Sequence, residues 1–260
     1  MSLGEDLLGL IARRAELAPA PVQRVSNAAG SAAPLLALAA AEKRRAPVLV
    51  VVPSEEEVRS WMRDLVSVSD QDRVLQNPPL DISDEEVSVF DAFAALGERL
   101  RVLRALLLPA KDERAPRVIV TSIAGLLERV PGRASVEKSS LVVEKGGTLD
   151  PAALARSLIQ VGLRRVPLVE SPGEFALRGG LVDVFPMGAA SPVRIELFGD
   201  EVESLRLFEP GTQRSTEEVP RVAIPLIAAP EYVRARREDK VTLLDHLPAG
   251  SLLLLVAPPR

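Results

Sequence analysis

The sequence predicts an α/β fold class: a mostly parallel sheet packed by helices, joined to a small α+β domain with an antiparallel sheet. Three observations predict it. Short unbroken apolar runs in the first half lead directly into capped helices. After Pro131-Gly132 the texture changes to short segments separated by glycine turns. Hydrophobic residues make up 47% of the 260, enough to build real cores.

Residues 5–15 read as a short amphipathic helix, with Leu7, Leu8, Ile11 and Leu17 near helical spacing, and Ala18-Pro19-Ala20-Pro21 breaks it. Residues 48–52 are an apolar run suited to a strand buried on both faces. Ser54 with Glu57 three residues on is a capping-box pattern, and Glu55 and Glu56 suit the positive end of a helix. Val58, Trp61, Met62 and Leu65 then form one apolar stripe. The unit recurs with residues 117–121 as a strand, Ser122 as a cap and 123–127 as a short helix. Between the two units Leu96, Leu100, Leu103 and Leu107 mark a long helix, which Gly97 weakens by roughly 1 kcal/mol against alanine.

Asp150 opens a further helix with Pro151 at its first position, Leu154, Leu158 and Val161 on its apolar face and Gly162 as its stop. Segments 163–169, 174–178, 181–185, 193–198 and 201–208 read as strands of an antiparallel sheet, punctuated by Ser171-Pro172-Gly173, Gly179-Gly180 and Gly199-Asp200. A regular two-residue hairpin at Gly199-Asp200 would set Glu196 against Glu203 and Val193 against Arg206. One extra residue near Glu203-Ser204 sets Ile195 against Leu205 and Val193 against Leu207 instead, so a β-bulge is predicted there. Residues 219–229 carry apolar residues spaced by prolines, and residues 252–256 look like another buried parallel strand. A sequence that stops on a core strand reads as a cut piece of a longer chain. The expected division is residues 1–129, 130–216 and 217–260.

Composition excludes much chemistry. The net charge of −4 disfavours whole-surface attraction to DNA or anionic lipid, and 3% aromatics leave little for base stacking. With no cysteine, disulfides and cysteine-based zinc sites cannot form, and His246 alone could serve a serine triad. No apolar run reaches the ~18–20 residues of a membrane span, and the N-terminus lacks a signal peptide's basic region. A cytoplasmic location without membrane contact is expected.

Candidate sites follow from the same reading. Asn27-Ala28-Ala29-Gly30-Ser31-Ala32 stands where a phosphate loop would, but Ser31 replaces its lysine and Ala32 its hydroxyl residue. It is therefore taken as degenerate, at Gly30, Ser31 and Ala32. Asp81-Ile82-Ser83-Asp84-Glu85-Glu86 lacks the spacing of a calcium loop and reads as solvated. His246 has no nucleophile motif around it. No catalytic residue, metal site or cofactor is expected. Of the basic clusters, Lys43-Arg44-Arg45 and Arg234 with Arg236-Arg237 read as solvated faces, leaving Arg164-Arg165.

One stretch is recognisable. Gly173-Glu174-Phe175-Ala176-Leu177-Arg178-Gly179-Gly180-Leu181-Val182-Asp183-Val184-Phe185-Pro186 resembles the GEFxxRGGxxDxFP motif of the Mfd family, the bacterial transcription-repair coupling factors. The run from Val193 to Ser204 is similar to the family's VRIExFGDExES, and that from Phe208 to Ser215 to its FDPxTQRS. Residues 117–127 and 243–260 resemble further family segments, so nearly the whole chain looks like the N-terminal, UvrB-like region.

The resemblance implies a layout and a role. The first domain would be a degenerate helicase-like domain (UvrB domain 1a-like). The second would be like UvrB domain 2, which binds UvrA, and residues 217–260 would begin a domain 1b-like segment. The implied function is a non-catalytic module that recruits UvrA in transcription-coupled nucleotide excision repair. The full-length family is an ATP-dependent DNA translocase, and RNA polymerase and duplex DNA would be engaged only through C-terminal domains absent here. Arg165 and Arg178 match UvrB arginines implicated in UvrA contact, Arg164 lies beside them, and Ala176 replaces a further one. Phe175 and Phe185 are candidate apolar anchors, with a core role as the stronger alternative. A UvrB-like DNA-binding or ATPase module is the alternative function, although a single tyrosine, Tyr232, departs from the tyrosine-rich damage probe of UvrB.

Overall fold

The computed structural model describes residues 30–70, 73–80, 89–109, 112, 115–189, 191–226, 229–239 and 241–256. The helix expected at 5–15, residues 27–29 of the degenerate loop and the acidic run 81–86 lie outside the described residues. The chain divides into two compact units.

The first unit comprises described residues within 1–86, 102–129 and 241–260. Helix α1 (Ala32–Arg44) leads to β1 (Val48–Val52), α2 (Glu55–Val66) and β2 (Val74–Asn77). Helix α3 (Val89–Ala105) is shared between the units after Arg101 and precedes β3 (Val118–Ser122) and α4 (Ile123–Leu127). The four-stranded sheet is parallel, in the order β14-β1-β3-β2, where β14 is Leu252–Leu255. Val48 aligns with both Val118 and Leu252. Strands β1 and β3 are buried throughout, as their unbroken apolar runs require. The Ser54 hydroxyl accepts the Glu57 N–H at 3.3 Å, and the Ser122 hydroxyl accepts that of Gly125 at 3.1 Å. Val58, Trp61 and Leu65 bury the predicted stripe of α2.

Strand β14 is parallel as predicted, but it is an edge strand rather than a fully buried one. Leu252 and Leu254 pack against the core, whereas Leu253 and Leu255 are exposed.

The second unit comprises described residues within 87–101 and 130–240. Between its first helix and its main sheet lie β4 (Arg129–Val130), α5 (Arg133–Lys138), β5 (Ser140–Glu144) and α6 (Pro151–Gln160). The sheet has six strands in the order β11-β10-β9-β8-β7-β6. They are β6 (Arg164–Arg165), β7 (Glu174–Arg178), β8 (Leu181–Phe185), β9 (Val193–Phe198), β10 (Glu201–Phe208) and β11 (Ser215–Glu218). Strands β7 to β10 coincide with the four predicted segments. Strand β12 (Arg221–Pro225) pairs antiparallel with β5, and α7 (Ala229–Asp239) and the short β13 (Val241–Thr242) follow in the chain.

The predicted strand 163–169 shrinks to Arg164–Arg165. Beyond Pro167 the chain loops, because the Glu174 carboxylate takes the N–H groups of Glu170 and Ser171 at 2.9 and 3.0 Å. The bulge stands where it was predicted: Val202 faces Leu197, then Ser204 faces Glu196, Leu205 faces Ile195 and Leu207 faces Val193. This register sends Val193, Ile195, Leu205 and Val202 into one core with Phe175, Val182, Val184, Leu154 and Leu158. Asp150 caps α6, accepting the Ala152 N–H at 2.8 Å.

Gly97 has a different role from a mere weak point in α3. A Cβ there would lie 3.0 Å from the Gly188 nitrogen, and one on Gly188 would lie 2.0 Å from the Gly97 oxygen. The two glycines let helix and loop backbones touch.

Candidate partner-docking face

Strand alternation sorts the second unit's sheet into two faces. One carries Phe175, Val182, Val184, Val193 and Ile195 into the core. The other carries Glu174, Ala176, Arg178, Asp183, Arg194, Glu196 and Arg206 in register across β7 to β10. Asp183 lies opposite both Ala176 and Arg194.

Asp183 is the hub of this face. Its carboxylate is fully buried and accepts three charge-assisted hydrogen bonds. Arg178 Nη2 donates at 2.6 Å, and Arg194 donates through Nε at 2.7 Å and Nη2 at 2.9 Å. One carboxylate thus holds two guanidinium groups, and the trio is net positive. Arg194 is further held by the Gln213 carbonyl at 3.2 Å and lies 4.6 Å from the centre of the Phe208 ring. Donating hydrogen bonds to the Asp183 carboxylate, opposed by burial, raises the Arg194 pKa above its ordinary value. Arg178 keeps 45% of its side chain in solvent. Farther along, Glu196 accepts from the Ser204 hydroxyl and from Arg206.

Glu174 plays the same part for Arg164, which donates through Nη2 at 2.6 Å. Burial of Glu174 opposes its ionisation, but the N–H groups of Glu170 and Ser171 and the Arg164 guanidinium outweigh it and lower its pKa. Arg164 remains 67% exposed. On this face, then, Asp183 and Glu174 are sunk into the sheet while Arg178 and Arg164, which they hold, reach into water.

Arg164 and Arg178 therefore share a face, but Arg165 does not. It aligns with Phe175, and alternation turns it to the opposite side of the edge strand. Among the described residues its side chain has no ion pair or hydrogen bond. The two phenylalanines are a correction: Phe175 is buried in the main core and Phe185 in a smaller cluster with Val169, Ala176 and Phe208. Neither presents a ring for a partner to grip, because the alternation that exposes Arg178 turns Phe175 inward, and the loop at Val169 covers Phe185.

Asp183, Arg194 and Gln213 were missed as site residues. All three lie inside the recognised runs, but the hairpin register that predicted the bulge pairs β9 with β10, whereas Asp183 meets Arg194 through the separate pairing of β8 with β9. Gln213 has a left-handed φ of 59° and donates to the carbonyls of Val169 and Pro210 at 2.9 and 2.7 Å. It ties the β10–β11 turn to the loop ahead of Glu174.

At the start of α1, Gly30 turns with φ 58°, Ser31 precedes the helix and Ala32 is its first residue. Among the described residues no cluster of three acidic or histidine side chains could hold a metal. His246 is buried in a short 3₁₀ turn (Leu243–His246). Among the described residues no helix is long and apolar enough to cross a membrane.

Residues 141–232, which include every strand of this face, match the UvrB interaction domain. The wider resemblance is to transcription-repair-coupling factors. Over 228 residues the chain is 30% identical to that of Bacillus subtilis, covering 88% of this chain and 19% of the relative. The Escherichia coli factor is 31% identical over 78% of this chain and 17% of its own length. The Myxococcus xanthus factor is 34% identical over 68% of this chain and 15% of its own. The chain thus spans less than a fifth of the length of these curated relatives. The matches agree with the N-terminal, UvrB-like region to which the motifs pointed.

Proposed function

We propose that this chain is a non-catalytic docking module that recruits UvrA, linking stalled RNA polymerase to nucleotide excision repair in the cytoplasm. The supporting observation is the pair of exposed arginines, Arg164 and Arg178, each held in place by a buried carboxylate. A guanidinium already fixed loses little conformational freedom when it meets a partner's carboxylates, so its outer N–H groups are ready to bond. Ser31 and Ala32, standing where a phosphate loop needs lysine and a hydroxyl, support the non-catalytic part. DNA and polymerase contacts belong, in this reading, to parts of the longer relatives that this chain does not span.

The test is titration of UvrA with the wild-type chain, with Arg178→Glu and with Arg165→Glu. Reversing the charge of Arg178 should cost about 2–4 kcal/mol of binding. Micromolar or tighter wild-type binding supports the proposal, and its absence refutes it. Equal binding by Arg178→Glu would move the contact elsewhere. ATP hydrolysis by the isolated chain would overturn the non-catalytic reading.

A further inference from the structure

We propose that Gln213 is a positioning residue of the docking face: its side-chain amide closes one hydrogen-bonded chain that runs from Arg164 to Arg178. This deepens the docking function proposed above and rests on it.

The chain of bonds passes through the loop between β6 and β7. Residues 167–172 belong to no strand, so their hold on the sheet comes from side chains. The peptide group joining Val169 and Glu170 is gripped at both polar ends. Its N–H donates to the Glu174 carboxylate at 2.9 Å, and its carbonyl accepts from Gln213 Nε2 at 2.9 Å. The Val169 side chain is fully buried in one cluster with Ala176, Phe185 and Phe208. Ala176 stands opposite Asp183 on the polar side of the sheet, so the loop is pressed onto the face that carries the arginines.

Gln213 meets the loop from the β10–β11 turn, where its backbone is fixed. Its N–H donates to the Glu209 carbonyl at 2.7 Å, and the Glu209 N–H donates to the Arg214 carbonyl at 3.0 Å. Its φ of 59° is one that glutamine rarely adopts. Nε2 donates a second bond, to the Pro210 carbonyl at 2.7 Å, which sets the amide plane and turns Oε1 toward Arg194, 3.4 Å from its Nη2. The links then run end to end. Arg164 is held by Glu174, Glu174 binds the loop, the loop binds Gln213, Gln213 meets Arg194, and Arg194 shares Asp183 with Arg178. Without the Gln213 side chain each exposed arginine keeps its own carboxylate, but the two halves move independently. A UvrA surface that meets both arginines at once must then fix their spacing on binding, and that ordering appears as lost affinity.

The experiment is residue-resolved amide exchange on the free chain and calorimetric titration with purified UvrA, for wild type, Gln213→Gly, Gln213→Asn and Arg178→Glu. Glycine takes the left-handed backbone without strain and removes only the side chain. Asparagine tolerates the same φ and keeps an amide, but is one methylene shorter. Both variants should speed exchange at Glu170 and Ser171 about tenfold while leaving β8 and β9 within about threefold. Both should weaken UvrA binding about fivefold. If Glu170 and Ser171 exchange as in wild type, Gln213 does not hold the loop and the proposal is refuted. If β8 and β9 loosen as much as the loop, the residue serves general stability and the positioning role is refuted. If the loop loosens and UvrA binds within about twofold while Arg178→Glu fails to bind, Gln213 is no part of the docking face and the docking function stands. If the wild-type chain does not bind UvrA, the docking function falls and this proposal with it.

Discussion

Replacing Asp183 by asparagine should loosen the sheet of the second unit by about 3 kcal/mol. The carboxylate is fully buried and receives three short bonds from two cations. An amide of the same shape turns a donor toward donors and removes the charge that is paired directly with Arg194. Breaking a buried pair on one side costs about 3–5 kcal/mol. The lower end applies because half-exposed Arg178 can return to water, whereas Arg194 retains the Gln213 carbonyl and the Phe208 ring. Native-state amide exchange is the direct assay. The slowest amides of β8 and β9 should exchange on the order of 100-fold faster, since 1.36 kcal/mol is a decade. The double variant Asp183→Leu/Arg194→Leu should recover most of the loss, because an apolar pair leaves no stranded charge. Exchange accelerated less than fivefold in Asp183→Asn would refute the hub.

Two further stability outcomes follow from the structure. Gly188→Ala should destabilise by about 3 kcal/mol, read as a drop in urea midpoint, because φ 71° and a Cβ 2.0 Å from the Gly97 oxygen forbid the methyl group. Glu174 has a folded-state pKa below its ordinary 4.5, so its stabilising contribution is present above that pH and fades as pH falls through the lower, folded-state value. The melting-temperature gap between wild type and Glu174→Gln should therefore be widest near neutrality and close in acid; a gap that widens in acid would contradict the assignment.

The elements that sequence rendered well are those where a local rule and a burial rule agree. Four strands and their bulge were legible because only one register keeps Val193, Ile195, Leu205 and Leu207 off the polar face. Ser122 and Asp150 were legible as caps because their side chains act on backbone three or two residues away. What failed depends on distant partners. Nothing in residues 252–256 shows that β14 would lie at an edge, since the same leucines would suit a central strand. Gly97 could not be read as a contact without Gly188, far along the chain. On the candidate face, Arg164 and Arg178 stand out in the sequence, but which arginine is held, and by what, depends on pairing between strands.

The position of β14 also has a consequence for synthesis. Strand β1 has one neighbour, β14, that leaves the ribosome about two hundred residues later. Every strand of the six-stranded sheet, and the β5–β12 pair beside it, has emerged before Leu252 does. The second unit can therefore complete its hydrogen bonding while β1 still lacks β14, since pairing at long sequence separation is the slower step. Until then Val48 to Val51 present an open, wholly apolar strand edge. In the nascent chain the hazard of mispairing is concentrated there, along the edge of β1 that waits longest for its partner.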